Sequence, residues 1–544
     1  MSANVSRSFT MTGRCGIPTS ADAVSLVVTA VLPSAAGGLR VYPAGTPLPN
    51  TTSLMYQASK TRANNGGFGL GSGGALAVHV DQPAGATLHL VLDVTGYYET
   101  GATPPPPPGT GPHLWSEDFG GPGGLDNAFP LGVAVDGQGE IAMAGYFQNS
   151  VNFGTGTLSS AGNGDIFVAK YSTQGTPLWS RRAGGAQDDR AKAVAVDGSG
   201  NVLVTGLFYG TIDLGGGAVS SAPNAVNCFV AKYSPTGAHL WSKRLSSALG
   251  LDEGMGIAVD SSGNVLVAGM LYQTSNFGGS DLTSAGSADA FIVKLSPTGA
   301  HLWSKRVGGS AEEFVYGLAV DSSGNPAITG HSTGSADFGG GSLAGAGGKD
   351  IFVAQYSGST GAHLWSRRVG GSVDDVGRGI AIDGAGDVVV TGNFASASVN
   401  FGSGALANSG GADIFLAKYS SGGTALWSKR FGAGLALDEK AFGARIDPSG
   451  NILLTGSVVD AIDFGGGSLP GDGYYDIFVA KFGSAGGHVW SKRTGAGAGT
   501  SVAADGGGNV VAAGYFVGTT PVNFGGANLL SPGGTDAFLV EFGP

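Results

Sequence analysis

The dipeptide Trp-Ser returns at a nearly constant interval, with tryptophans at Trp115, Trp179, Trp241, Trp303, Trp365, Trp427 and Trp490 and spacings of 64, 62, 62, 62, 62 and 63 residues. A period of that length marks copies of one structural unit that buries its apolar faces against its neighbours. Three further markers keep the same phase. D-x-x-G followed by Asn, Asp or Glu begins at Asp136, Asp197, Asp260, Asp321, Asp383, Asp447 and Asp505. NFG or a close variant begins at Asn152, Asp213, Asn276, Asp337, Asn400, Asp463 and Asn523. D-[IA]-F-[VIL] begins at Asp165, Asp289, Asp350, Asp413, Asp476 and Asp536, with NCFV at Asn227 as the departure. Seven copies of each marker mean seven modules.

The copy GIAVDSSGNVLVAGMLY reads as a short apolar strand, a turn with Asp first and Gly fourth, and a second strand. A glycine-rich loop through NFGG leads to a third strand, DAFIVKLS; the turn SPTG then leads to a fourth, HLWSKRV. Four antiparallel strands per module, without helical periodicity, predict a β-propeller blade. The 101 glycines and the 12% of charged residues suit such a turn-dense β protein.

The last module supplies only three strands, whereas HLWSEDF at 113–119 is a fourth strand with no module in front of it. The predicted fold is therefore an all-β, seven-bladed β-propeller over 113–544. The strand at 113–119 closes the ring, three plus one, by pairing with DAFLVEF at 536–542. Closure removes the sheet edges that invite aggregation. PPPPP at 104–108 makes 101–112 a stiff polyproline II linker, and 1–100 forms a small β-sandwich-like domain.

A net charge of −11 excludes a nucleic-acid partner, which needs clustered Lys and Arg. Cys15 and Cys228 suit neither a disulfide framework nor a zinc site, and Cys228 reads as a small buried apolar residue. The chain has no apolar run long enough for a membrane span, and MSANVSRSFTMTGRCGIP lacks the pattern of a signal peptide.

The repeat pattern GG-[ST]-x-[DE]-[DE]-x-x-x-x-[IL]-A-[VI]-D-x-x-G-N-x-x-x-T-G, best seen in VGGSAEEFVYGLAVDSSGNPAITG, resembles the bacterial seven-bladed propeller repeat family SBBP. The resemblance covers about residues 113–544 and implies a secreted or cell-surface bacterial protein, without implying a reaction. The segments CGIPTSADAVSLVVTAV, GGLRVYPAGTPLPNTTSLMYQASKTRANN and LHLVLDVTGYYE resemble a β-rich module of bacterial secreted and surface proteins. Against that module the stretch before Cys15 is short, which points to a truncated or mis-assigned start. Val80 stands where related sequences often place a cysteine, which leaves Cys15 without a partner.

Acidic pairs precede the first strand of several blades: Asp188 and Asp189, Asp252 and Glu253, Glu312 and Glu313, Asp374 and Asp375, Asp438 and Glu439. The loops that carry them enter the central channel on the NFG side, so a broken carboxylate ring there would attract calcium or a cationic ligand. The competing reading is that the acids cap repeated turns. Asp and Glu interchange freely, which suits charge more than fixed metal geometry. Basic doublets such as Arg181-Arg182 and Lys305-Arg306 follow the tryptophans on the outermost strand, where charge suppresses edge pairing; the opening copy has Glu117-Asp118 instead.

The tryptophans read as packing between blades, and five of the eight histidines belong to the repeat, whereas His331 is a one-off near the channel face. No repeated Ser-His-Asp set, HExxH or CxxC supports nucleophilic or zinc catalysis. The expectation is a non-enzymatic binding, adhesion or scaffold protein, extracellular or at the cell surface, monomeric, with a protein or glycan ligand and no cofactor other than calcium at those carboxylates. The alternative is an enzyme acting on polysaccharide, with Glu312 or Asp374 as acid and base.

Overall fold

A computed structural model describes residues 2–12, 21–50, 52–71, 73–99, 111–121, 126–222, 225–246, 251–432, 434, 437–471, 473–518, 521–531 and 534–544. The proline run and Cys15 lie outside them. The chain divides into two compact units, Met1–Gly109 and Thr110–Pro544, and every regular element among the described residues is a strand.

In the first unit, alternation along Ala21–Val31 buries Val24, Leu26, Val28 and Ala30 on one face. That strand lies between Arg62–Gly69 and His89–Glu99 in a three-stranded sheet. A second sheet runs Ser6–Thr10, Ala75–Asp81, Gly37–Pro43, Leu54–Tyr56. Both sheets contribute to one core that includes Val24, Leu39 and Val78. Val80 is fully buried in that core.

In the second unit each module folds as read from its sequence. The third module runs Glu253–Val259, Val265–Leu271, Asp289–Leu295 and His301–Gly309, all antiparallel. Asp260 opens its turn because one carboxylate oxygen accepts the amides of Ser262 and Asn264, both at 2.9 Å. The other oxygen takes Lys294 Nζ of the third strand at 2.8 Å. Asp197 with Lys232 and Asp447 with Lys481 repeat this buried pair. The NFG loops fold as small hairpins whose Phe stacks on the Phe of D-[IA]-F: Phe153 on Phe167 at 4.1 Å, Phe277 on Phe291 at 4.4 Å.

A column of glycines shapes the channel wall. Every first strand carries a bulge opposite the Gly of the second strand, for example between Val315 and Gly317 facing Gly330. A Cβ on Gly330 would lie 1.7 Å from the Phe314 carbonyl oxygen, and one on Gly206 would lie 1.9 Å from that of Arg190. Only glycine fits, and each bulge leaves one unpaired residue on the innermost strand.

Seven four-stranded sheets result among the described residues. The innermost strands Asn127–Val135, Arg190–Val196, Glu253–Val259, Glu313–Val320, Asp375–Ile382, Lys440–Ile446 and the second half of His488–Ala504 are neighbours in that order, and the last lies against the first. The seventh sheet takes its outer strand from His113–Phe119, in register from Ala537 opposite Phe119 to Phe542 opposite His113. The tryptophans link blades: Trp179 Nε1 donates to the Pro235 carbonyl at 2.8 Å and Trp241 Nε1 to that of Pro297 at 3.1 Å. Trp115 does the same across the junction, donating to the Thr173 carbonyl of the first blade at 3.3 Å.

Candidate functional site: the channel and its mouth

The structure splits the expected carboxylate ring in two. One column is buried and structural: Asp126, Asp189, Asp252, Glu313, Asp375 and Glu439 are each at most 8% exposed. Asp189 accepts the amides of Gly185 at 2.7 Å and Tyr209 at 3.2 Å. Asp375 accepts those of Gly371, Ala395 and Ser396 and the Ser396 hydroxyl. Asp252 holds Tyr272 and Ser275, and Glu313 holds the Gly309 amide at 2.8 Å. These acids cap the turns that join blade to blade. Burial pushes Asp189 and Glu313 up to about 7 and Asp252 up to about 6, despite the bonds that favour their ionised forms.

The remaining acids do lie toward the mouth. Asp188 pairs with Arg190 at 2.6 Å, Glu312 with His331 at 3.2 Å, and Asp438 with Lys440 at 3.2 Å, while Asp374 accepts the Lys349 amide at 3.1 Å. The pair Asp252-Glu253 is out of phase with the others. Its first member fills the buried column, and Glu253 stands where Arg190 and Lys440 stand in other blades. Doublets that look equivalent in sequence are therefore not equivalent in space. Among the described residues, no group of three or more His, Cys, Asp or Glu is placed to hold a metal ion.

A second set of buried acids escaped the sequence reading. Asp165, Asp289, Asp350, Asp413 and Asp476, which open D-[IA]-F, each pair with the second base of the doublet on the neighbouring outer strand: Arg182, Arg306, Arg368, Arg430 and Arg493. The phase of both markers carried that signal, and the two exceptions show it most clearly. Where Asn227 replaces Asp, Arg244 bonds the Ser220 carbonyl instead. Where Asp118 replaces Arg, the buried Asp536 forms no ion pair among the described residues. Burial, together with the charges of Asp118 and Asp126, pushes Asp536 up to about 6.

The channel interior departs most from expectation. A cavity of about 140 Å³ is lined by all seven innermost strands, and the bulge residues facing it are Leu131, Lys192, Met255, Tyr316, Arg378, Phe442 and Thr500. No carboxylate lines it, and Arg445 joins Lys192 and Arg378 there. The mouth above is aromatic: Phe129 stacks on Tyr146 at 4.8 Å, Arg190 lies 4.5 Å over Tyr146, and His331 stacks on Phe314 at 5.2 Å. His331 is 1% exposed, and burial lowers it to about 4. The single histidine flagged in the sequence is thus neutral and packed, with Glu312 accepting its Nε2 proton. The basic interior and the aromatic column were not legible as a site, because each residue replaces a different repeat residue and no short motif spans them.

Sheets arranged around a channel, with tryptophans such as Trp179, Trp241 and Trp303 bonded to the next blade, define a β-propeller repeat protein. The family model described as Beta-propeller repeat, SBBP, matches residues 178–207 and 240–270. An uncharacterized WD repeat-containing protein of Acanthamoeba polyphaga mimivirus is 24% identical over 444 residues, covering 65% of this chain and 32% of that protein. The regulatory protein FlaEY of Caulobacter vibrioides is 35% identical over 88 residues, 15% of this chain and 9% of its own length. The chain thus spans about a third of the first relative and about a tenth of the second. Among solved structures, the Neurospora crassa Pan2 WD40 domain is similar at a TM-score of 0.40 and 11% identity, covering 80% of this chain and 98% of that one.

Proposed function

We propose that this protein is a binding scaffold whose docking face is the channel mouth, where the loops between blades and the second-to-third-strand loops meet. The observation that carries this is a mixed surface. Leu251, Val373, Leu437, Tyr474 and Tyr475 are exposed there, at 37, 45, 42, 69 and 48%. They alternate with the carboxylates of Asp188, Glu312, Asp374 and Asp438. Exposed apolar side chains rimmed by charge suit a protein ligand that brings apolar anchors and basic residues. We infer an extracellular or cell-surface setting from the resemblance of the repeats to SBBP proteins, with a surface glycan as the other ligand class.

The test is a panel of immobilised peptides, basic-apolar against acidic-apolar, probed with the whole chain and with a Leu251→Ser, Val373→Ser, Leu437→Ser variant. Preferential capture of the basic-apolar peptides, reduced roughly tenfold or more in the variant, is expected. Equal binding by both proteins would place the docking surface elsewhere.

A further inference from the structure

The channel floor sets Lys192, Arg378 and Arg445 around one cavity without a carboxylate in its lining. Each sits where other blades carry an uncharged residue. Lys192 and Arg378 are bulge residues, a position filled by Leu131, Met255, Tyr316, Phe442 and Thr500 elsewhere. Arg445 breaks the repeat outright: in GVAV, AVAV, GIAV, GLAV, GIAI and SVAA the third residue is Ala, and only GARI puts a guanidinium there.

Among the described residues none of the three forms an ion pair within the chain. Arg378 lies between the rings of Tyr316 at 5.4 Å and Phe442 at 5.3 Å, and its Nε donates to Asn393 at 2.9 Å, which fixes the guanidinium plane. Arg445 borders both this cavity and an adjoining one of about 310 Å³ whose other lining residues are Ala, Val, Ile and Leu. Burial works against the charge of all three. Two carboxylates, Glu253 and Asp188, favour the charge of Lys192 through their fields, opposed there by Arg190. Unpaired charges gathered in a confined space are costly unless a counter-charge joins them. In a chain of net charge −11, that concentration of positive charge around one cavity is local and specific.

We propose that the channel floor is a binding site for a small oxyanion of the phosphate class, held by Lys192, Arg378 and Arg445, with Ser501 of the same lining, whose oxygen accepts the Val133 amide, as a hydroxyl donor. Its size sets the class. A space of about 140 Å³ is well under the roughly 300 Å³ at which pockets for drug-sized ligands begin, so the anionic group itself is what fits among the cations. Planar guanidinium forks and a lysine point charge are the groups that recognise tetrahedral oxyanions. The site stands apart from the rim and does not depend on what docks there.

Isothermal titration of inorganic phosphate into the full chain, in a low-salt chloride buffer, tests it. Saturable one-to-one binding is expected. Arg445→Ala installs the residue found in the other six blades and Lys192→Met the residue of the next blade, so both fit the repeat. Each should weaken phosphate by roughly tenfold or more, while Arg181→Ala on the exposed outer strand leaves it unchanged. If Arg445→Ala does not fold, Lys192→Met carries the same expectation. Absence of saturable heat with the unmodified chain, or equal loss in the channel and outer-strand variants, overturns the site.

Discussion

Asp118 occupies the place that Arg182, Arg306, Arg368, Arg430 and Arg493 hold in other sheets, as the pairing of Phe538 with Asp118 and of Phe167 with Arg182 shows. The seventh sheet therefore buries Asp536 beside like charge. Burial and the carboxylates of Asp118 and Asp126 raise it to about 6, from an ordinary value of about 4. An acid raised on folding binds its proton more tightly in the native state. Its cost is absent below the unfolded value, grows as pH climbs from that value to the folded one, and is full above it. Asp118→Arg should raise the melting temperature at pH 7.5 by several degrees, and by much less at pH 4.5, as read by scanning fluorimetry across that range. An equal gain at both values would trace the effect to packing instead. At this scale the sequence displays charge but not side: nothing in Asp188-Asp189 against Asp252-Glu253 says which member turns inward. That choice depends on which amides the bulge and turn present, a matter of angstroms rather than of residue type.

The strand His113–Phe119 shows how much an element can reveal when a repeat supplies its context. Its identity and its partner were readable because six complete modules defined what the seventh lacked. Its energetics come from the structure. Phe119 is 3% exposed and packs on Phe153 at 5.8 Å and Tyr171 at 5.2 Å, both in the first blade, so the closing strand joins two sheets at once. Phe119→Ala should cost about 3–5 kcal/mol, as truncation of a buried aromatic does. Leu114→Ala, on the same strand but 47% exposed, should cost less than about 1 kcal/mol. Denaturant unfolding of both variants measures the contrast, and similar losses would mean that the strand does not bridge the sheets. Deleting 110–119 bares the edge of Thr535–Phe542 and should produce concentration-dependent association in light scattering.

Over the whole molecule two families of buried acids pull stability in opposite directions with pH. Against the burial that would raise them, Lys232, Lys294 and Lys418 and the turn amides hold Asp197, Asp260 and Asp383 below the usual carboxylate range. What they contribute is present above the unfolded value of about 4 and lost as pH falls through their folded values. Asp189, Asp252 and Glu313 are raised to about 7, 6 and 7, so their ionisation weakens the fold as pH rises toward neutrality. The two windows leave a maximum between them. Melting temperature should peak near pH 5, decline modestly toward pH 8 and fall steeply below about pH 3.5. Asp189→Asn keeps an acceptor for the Gly185 amide while removing the titration, so it should flatten the alkaline decline. A maximum at pH 8 with no decline would show that the capping amides, rather than burial, govern these carboxyls. A periodic sequence tells where such groups recur, and the fold alone tells which of them must exist without water.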